Sequence, residues 1–339
     1  MTGERCELPV SVIVSMRNSE TTIDSCLRGL LQQDYPIAEI LVFDNVSTDR
    51  SCERVEAFLQ VSAVPVRLVR QPVNGGIATS YNEGARQAVS PLLVFVHSDS
   101  VLPSPQELRR LVEPLNRDTS VVASHPVLLM PEDVWGRFPF WQKYLFARVA
   151  MREAPCMCGK FDCVRRDVFF AVGGYNGRRF TATCGYGGED SDLNRRLGQA
   201  GRVVGSAAHV VHLHDLSNDY GLAALFRTRK LLARTYGKIL LFQGLFPIRH
   251  KCPFFVKPAL AVLPFLLGPV FWAGVLVQLA FSLYYNKTIY LSPKSRMDVR
   301  ILLVPWIDIA LLYFETFWFI EGLLTSPADA QSAPEVSHP

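Results

Sequence analysis

Four short apolar runs in the first third of the chain alternate with stretches that are long enough to form helices. The runs are PVSVIVSM from Pro9, EILVF from Glu39, Val64 to Val69, and LLVFV from Leu92. Their length and their content of β-branched residues are typical of strands buried on both faces. Helix-length connections between consecutive strands imply right-handed crossovers and a parallel sheet. The pattern therefore predicts an α/β fold with a mostly parallel, Rossmann-like sheet.

Polar residues follow each of these predicted strands. Arg17, Asp44 and Asn74 come after the first three runs, and His97-Ser98-Asp99 follows the fourth. The carboxyl ends of parallel strands meet at one edge of a sheet, where ligands bind in open α/β folds. An imidazole and a carboxylate delivered to that edge predict a metal or phosphate site.

The net charge and the amino-terminal residues bear on the partners and the location of the protein. The formal net charge is +4, which is too small to indicate a nucleic-acid partner. Residues 1–9 are polar and lack the apolar core of a secretory signal, so we expect the start of the chain to stay in the cytoplasm.

The last third of the chain has the composition of a membrane-bound segment. Leu222 to Phe246 predicts an amphipathic helix, and its cations Arg227, Lys230, Arg234 and Lys238 share one face. An aromatic and basic stretch at Trp135 to Phe146 also fits a membrane interface. A basic face next to a long apolar run favours binding among lipid headgroups.

Two apolar stretches follow, Pro258 to Tyr285 and Ile301 to Leu324. Each is long enough to cross a bilayer, although Pro264, Gly268 and Pro269 are expected to kink or break the first. The second contains Asp308, Glu315 and Glu321, which we expect to turn toward protein or water. The loop between them is basic, which also allows a hairpin that enters the membrane without crossing it.

These patterns predict four segments. Residues 1–218 form the catalytic domain, 219–257 amphipathic interface helices, 258–324 transmembrane or re-entrant helices, and 325–339 a disordered tail.

Seven motifs occur in an order that resembles the family 2 nucleotide-sugar glycosyltransferases, which have the GT-A fold. They are VSVIVSMRNSETTIDSCLRGLLQQ, EILVFDNVSTDRS, NGGIATSYNEGARQA, LLVFVHSDS, GGYNGRRF, YGGEDSDLNRRLGQAG and VVHLHD. The resemblance extends from Leu8 to about Asp215 and implies an inverting transferase.

The resemblance also implies site residues. A nucleotide-sugar donor would contact Ser15, Arg17, Asn18, Asp44, Asn74, Gly75, Gly76, His97 and Ser98, with Asp44 accepting a hydrogen bond from the base. Asp99, with His212 or His214, would bind Mn²⁺ or Mg²⁺. The family usually has Asp-x-Asp here, and His97 in place of the first Asp shifts the preference toward Mn²⁺. Asp190, with Glu189 beside it, would be the general base.

The sequence therefore predicts a membrane-associated, metal-dependent, inverting glycosyltransferase at the inner membrane, with its catalytic domain in the cytoplasm. The expected acceptor is a polyprenyl-linked or other glycan, and membrane lipid is a further partner. Two alternatives remain open at this stage: a polyprenyl-phosphate sugar synthase, whose acceptor needs no base, and a nucleotide-sugar-binding membrane protein that has lost catalysis. A processive synthase is disfavoured, because a channel needs more than two spans.

Overall fold

The computed structural model describes residues 7–147, 153–155, 157–177, 180, 188–214, 220–240, 252–291 and 298–325. The chain divides into two compact units. The sheet unit comprises residues 1–134 and 151–216, and the helical unit comprises residues 135–150 and 217–339. Asp215, residues 241–246 of the amphipathic segment and the predicted tail beyond Thr325 lie outside the described residues.

The sheet unit contains the strands and most of the shorter helices. The strands are β1 Val10–Met16, β2 Ile37–Asp44, β3 Val66–Arg70, β4 Leu92–His97, β5 Ser100–Val101, β6 Val121–Leu129, β7 Ala154–Pro155, β8 Phe161–Arg165 and β9 Arg202–His212. The helices are α1 Ile23–Leu31, α2 Ser51–Leu59, α3 Gly76–Gln87, α4 Glu107–Arg117, α7 Arg166–Ala171 and α8 Glu189–Ala200, and α5 Glu132–Arg137 leads into the helical unit.

The sheet has the order β3-β2-β1-β4-β8-β6-β9-β5, and β7 pairs with β6. Strands β1 to β4 are mutually parallel, as their helix-length connections predicted. Strand β8 is antiparallel to both β4 and β6, so the second half of the sheet is mixed. This mixed α/β sheet is of the GT-A type. Strand β6 and helix α4 were not recognised from the sequence.

Both faces of the parallel half are covered. On β4, Leu92, Val94 and Val96 pack into one apolar cluster. Leu93 and Phe95 pack into the other. Alternate residues of a strand point to opposite faces, so a continuous apolar run is what a doubly covered strand requires.

The helical unit contains α6 Phe140–Phe146, α9 Leu222–Leu240, α10 Val256–Leu266, α11 Phe271–Tyr285, α12 Lys287–Leu291 and α13 Val304–Leu324. The expected break in the first apolar stretch is a 3-10 turn at Gly268–Val270 between α10 and α11. Two stretches, Gly268–Tyr285 and Val299–Leu324, are long and apolar enough to cross a bilayer.

The carboxylates of the second apolar stretch contact protein, as expected. Glu321 pairs with Arg234 at 2.6 Å, and Asp308 accepts hydrogen bonds from Tyr144 and Ser282. The sequence placed Lys230 and Arg234 on a lipid-facing basic surface. In the structure Lys230 lies over the ring of Trp318, and Arg234 binds Glu321, because α13 carries partners for both.

Helix α3 packs so closely on β1 that it depends on a glycine. A methyl group at Gly84 would lie 2.3 Å from Cγ2 of the fully buried Ile13. We expect Gly84→Ala to lower the free energy of unfolding of the sheet unit by about 1 to 3 kcal/mol through overpacking. The change in unfolding free energy is measured by hydrogen exchange of the β1 amides at increasing urea concentration.

Gly198→Ala is the matched control, because Gly198 lies within α8 and a methyl group there meets no atom within 4 Å. We expect it to stabilise by about 0.5 to 1 kcal/mol through helix propensity. Equal effects of the two substitutions would contradict close packing of α3 on β1.

Candidate active site

The carboxyl ends of β1, β2 and β4 bring three predicted donor contacts to one edge of the sheet. In the strand register, Ser15 pairs with His97 and Met16 pairs with Asp44. Ser98 is buried next to them, and its backbone N–H donates to the Ser15 carbonyl at 3.2 Å. The topology thus places these residues side by side, one strand spacing of about 4.8 Å apart.

The loop after β1 binds the loop after β2. Asn18 has a positive φ of 47°, and its Oδ1 accepts a hydrogen bond from the Thr48 N–H at 2.8 Å. The Asp44 carboxylate is buried and accepts from the Ser47 N–H at 3.2 Å. Arg17 is exposed beside this pair of loops. The structure therefore brings Arg17, Asn18 and Asp44 together, and their contacts to a nucleotide remain a prediction.

The turn before α3 has the expected glycine geometry. Gly76 has a φ of 79°, which an L side chain rarely adopts, and its N–H donates to Asn74 Oδ1 at 3.1 Å. At Gly75 a methyl group would lie 2.8 Å from the Thr79 side chain. Both glycines are therefore needed for this turn.

Three donor atoms form a potential metal centre. His97, Asp99 and His212 each offer one ligand atom, and these atoms lie within 4.8 Å of one another. Strand β5 holds Asp99 opposite β9, because Ser100 pairs with His212 and the Leu213 N–H donates to the Asp99 carbonyl at 2.8 Å. The His214 ring lies 3.9 Å from that of His212, so the structure places it next to this group.

The electrostatics keep His97 and Asp99 in the forms that bind a cation. Burial and the nearby charge of Lys160 lower the pKa of His97 to about 3, so its imidazole is neutral. Burial acts to raise the pKa of Asp99, but His212, with Nε2 at 2.9 Å from Oδ2, holds that pKa below its usual range. A neutral imidazole and an ionised carboxylate are the forms that coordinate metals.

The predicted general base Asp190 and its neighbour Glu189 lie at the start of α8. Gly188 precedes it with a φ of 115°, and Glu189 and Asp190 form the first turn of the helix. Asp190 Oδ1 is buried and has no hydrogen-bond partner within the described residues. Burial raises the pKa of Asp190, although the Lys160 cation acts in the opposite direction. Burial and the neighbouring Asp190 raise the pKa of Glu189 to about 7.

The loop before β8 lies next to both Asp190, the predicted base, and His97 of the potential metal centre. The sequence reasoning missed this loop. Gly159 has a φ of 67°, and a methyl group there would lie 3.0 Å from Asp190 Oδ1 and 3.3 Å from His97 Nε2. The Tyr81 hydroxyl donates to the Gly159 carbonyl at 2.7 Å. Asp190 Oδ1 and His97 Nε2 are therefore close enough that one methyl group at Gly159 would contact both.

Lys160 on this loop and Asp162, the second residue of β8, are ionisable, and the sequence reasoning missed both. Asp162 Oδ2 accepts from the Cys158 N–H at 2.9 Å, which fixes the turn. Burial acts to lower the pKa of Lys160, but surrounding acidic groups that include Asp190 and Asp99 raise it, so the ammonium stays charged. The available signal was an ionisable residue, Asp162, inside the otherwise apolar run FDCV.

Comparison with known proteins agrees with this geometry. Residues 11–173 match the model of glycosyl transferase family 2. This stretch, just under half of the chain, is similar to the family 2 glycosyltransferases. The match includes β1 to β4, the His97 and Asp99 positions and the Gly159 loop.

Curated relatives of the family 2 domain are bacterial. The chain is 26% identical to glycosyltransferase GlyG of Streptococcus pneumoniae over 187 residues, which is 50% of this chain and 61% of the relative. It is 34% identical to the uncharacterized glycosyltransferase EpsJ of Bacillus subtilis over 104 residues, 31% of this chain and 29% of the relative. The chain thus spans less than two thirds of the length of either relative.

A solved structure shows the same fold over most of the chain. The mannosyltransferase PcManGT from Pyrobaculum calidifontis, in complex with GDP-Man and Mn²⁺, superposes with a TM-score of 0.55 at 19% identity. The superposition covers 94% of this chain and 88% of that one. It establishes the GT-A type fold and, at this identity, only the fold.

The metal centre gives a direct prediction. We expect Asp99→Asn to weaken Mn²⁺ binding by more than about tenfold, because it removes the only carboxylate of the three-donor group. The concentration of free Mn²⁺ in a titration, measured by electron paramagnetic resonance, reports the affinity. His125→Ala on β6 is the control and should leave it unchanged, since His125 does not belong to the group. Equal Mn²⁺ affinities for the wild type and Asp99→Asn would exclude this centre.

The raised pKa of Glu189 predicts how stability depends on pH. The folded state holds the proton more tightly than the unfolded state, so stability should fall as the pH rises from about 4.5 to about 7. The unfolding free energy of Glu189→Gln minus that of wild type should therefore be larger at pH 8 than at pH 5, by on the order of 1 to 3 kcal/mol.

The measurement is urea unfolding of the sheet unit at both pH values. Glu113→Gln serves as the control, because Glu113 is an exposed residue of α4. A pH dependence that is the same in wild type and Glu189→Gln would show that Glu189 titrates normally.

Proposed function

We propose that this protein transfers a sugar, with inversion, from a nucleotide-diphosphate sugar to a lipid-linked or other glycan acceptor at a membrane. The observation that carries the proposal is the shared position of base and metal centre at Gly159. Asp190 Oδ1 and His97 Nε2 both lie next to the space that a side chain at Gly159 would fill. A donor sugar bound beside this loop would have the Asp190 carboxylate on one side and its diphosphate on the other.

Asp190 is the proposed general base. Inversion requires a carboxylate that takes the proton of the acceptor hydroxyl while its oxygen attacks the anomeric carbon. The unpartnered, buried Oδ1 of Asp190 is free to accept that hydrogen bond. Burial raises the pKa of Asp190, which suits proton uptake.

The metal centre fits Mn²⁺ better than Mg²⁺. Its donors are two imidazoles and one carboxylate, whereas Mg²⁺ prefers an all-oxygen octahedral shell. When bound there, the cation would neutralise charge on the departing nucleotide diphosphate. Lys160 adds a second positive charge beside the same group.

The donor base and ribose are assigned to the loops after β1, β2 and β3. Asp44, Arg17, Asn18, Ser15 and the turn at Asn74 to Gly76 lie along the same sheet edge as His97 and Ser98. This order along the edge suits an extended ligand with its base at Asp44 and its diphosphate at Asp99.

The membrane part of the proposal rests on the helical unit. Its two apolar stretches are long enough for a bilayer, and large apolar side chains on them are exposed, including Trp272, Leu276 and Trp306. Exposed apolar surface of this extent marks a membrane or protein partner. We assign the catalytic domain to the cytoplasmic side, where nucleotide sugars are made.

Nucleotide release tests the transfer. Membranes that contain polyprenyl carriers and Mn²⁺ or Mg²⁺ are supplied with a panel of UDP-, GDP- and dTDP-sugars. We expect release from the wild type with one donor class, and at least a hundredfold loss in both Asp99→Ala and Asp190→Asn, since proton transfer alone contributes about 10²–10⁴-fold. Arg202→Gln, an exposed substitution on β9, should behave as wild type.

The other outcomes separate the alternatives. Release that survives in Asp190→Asn but not in Asp99→Ala would indicate a phosphate acceptor, which needs no base. Binding of nucleotide sugar without release of nucleotide from any donor would indicate a binding protein without catalysis. The anomeric configuration of the product, read by nuclear magnetic resonance, tests inversion.

A further inference from the structure

Helix α9 packs along the carboxyl-terminal half of α13, and this packing constrains how α13 can meet a membrane. Phe226 stacks on Phe314 at 5.0 Å, and Lys230 lies 3.6 Å from the centre of the Trp318 ring. Further along, Gly237 meets the backbone of Phe319. The partner numbers rise together, so the two helices run parallel.

Glycines bring the two backbones into contact. A methyl group on Gly237 would lie 2.1 Å from the Phe319 carbonyl, and one on Gly322 would lie 2.1 Å from the Arg234 carbonyl. Small residues that allow this approach hold helices together tightly. Helix α13 therefore cannot change its tilt in a bilayer without α9.

Helix α9 is too highly charged to cross a bilayer. Arg227 is exposed, and four more cations follow along the helix: Arg229, Lys230, Arg234 and Lys238. An upright α13, which has the length of a span, would carry this charged helix through the hydrocarbon core. Charged side chains at that depth are strongly disfavoured. The pair is instead suited to lie flat at the surface.

The outer face of α13 is an apolar stripe. Six residues at helical spacing are exposed: Trp306, Ala310, Tyr313, Phe317, Ile320 and Leu324. The opposite face carries Glu315, which pairs with Arg229 and Lys257. The exposed face of α13 is therefore wholly apolar, while the carboxylates Glu315 and Glu321 lie on the side that packs against α9.

Helices α10 and α11 form an antiparallel hairpin, so the start of α10 and the end of α11 lie at the same end. Gln278 donates to the Leu260 carbonyl at 2.8 Å, and Gly274 packs on Pro264, so the two helices are antiparallel. At the open end, Lys257 lies 5.5 Å from the centre of the Tyr285 ring. Helix α11 has 15 residues, about 22 Å, and with the 3-10 turn before it the apolar stretch has 18 residues, near the lower limit for a span.

The closed end of this hairpin is apolar and continuous with the stripe. Phe265, Leu266, Val270 and Trp272 are each more than half exposed. The ring of Phe265 lies 6.3 Å from that of Tyr313, which belongs to the stripe on α13. The exposed cation Lys287 lies just beyond the open end of the hairpin, where it can meet anionic headgroups.

We propose that the helical unit inserts into one leaflet of a bilayer and does not cross it. The closed end of the α10–α11 hairpin and the stripe on α13 enter the acyl region, and α9 stays on the aqueous side. The amino terminus, the loop at Lys287 and the carboxyl terminus then all lie on the same side of the membrane. This inference depends on the membrane association given under the proposed function.

The test is the sidedness of the full chain in sealed inverted vesicles of a bacterial inner membrane. The chain carries a protease-sensitive epitope at each end, and an impermeant amine reagent labels Lys287, which is read by mass spectrometry. We expect removal of both epitopes and labelling of Lys287 without detergent. In right-side-out vesicles all three should be protected.

Other patterns overturn the inference in distinguishable ways. Two crossings would protect Lys287 in inverted vesicles until detergent is added, and one crossing would protect the carboxyl-terminal epitope. Either result would leave membrane association intact. Recovery of the chain in the soluble fraction would overturn both this inference and the membrane part of the proposed function, while nucleotide release would still test sugar transfer.

Three substitutions identify the inserted surface. We expect Phe317→Glu and Trp272→Glu each to reduce the vesicle-bound fraction at least fivefold in flotation assays. Val61→Glu is the matched control, because Val61 is an exposed apolar residue of the sheet unit. Circular dichroism checks that each variant is folded. If Phe317→Glu instead dissociates an oligomer and leaves vesicle binding unchanged, the stripe is a contact between copies and the proposal is wrong.

Discussion

The burial of charged groups at one edge of the sheet is the constraint on which the site depends. Asp99, Asp190 and Lys160 are all partly buried, and an isolated charge is disfavoured away from bulk water. Each therefore needs the others or a ligand: His212 lies against Asp99, and Lys160 lies among carboxylates. Asp190 Oδ1 keeps an unsatisfied acceptor within the described residues. A site of this kind is stable because its charges compensate one another, and it is reactive where compensation is incomplete.

The sheet supplies the rigidity that such a cluster requires. His97 ends a strand whose preceding five residues are fully or almost fully buried, and His212 ends β9 opposite β5. Side chains on strand ends are held more firmly than side chains on free loops, which suits a metal centre. The glycine at 159 then allows the loop before β8 to approach without occupying the space between base and metal centre.

Buried charges in the helical unit are also compensated by partners of opposite charge. Glu315 is buried and lies between Arg229 and Lys257, and Glu321 lies against Arg234. Breaking such a pair leaves an uncompensated charge, so the pairs act as a registry between helices rather than as a source of net stability. With these charges turned inward, the exposed surface of α13 is left apolar.

The sequence by itself determined the parallel half of the sheet, because five-residue apolar runs separated by helical segments allow few other folds. It also placed Asp44, His97 and Asp99 at or just after the ends of strands and Asp190 at the start of a helix, since these positions can be read from local patterns. Only the tertiary structure decided that β8 runs antiparallel to β4 and so carries Gly159 and Lys160 to the same edge. It likewise decided that α13 packs along a charged helix. Strand direction and helix pairing are long-range choices between segments far apart in the chain, and no local pattern of residues encodes them.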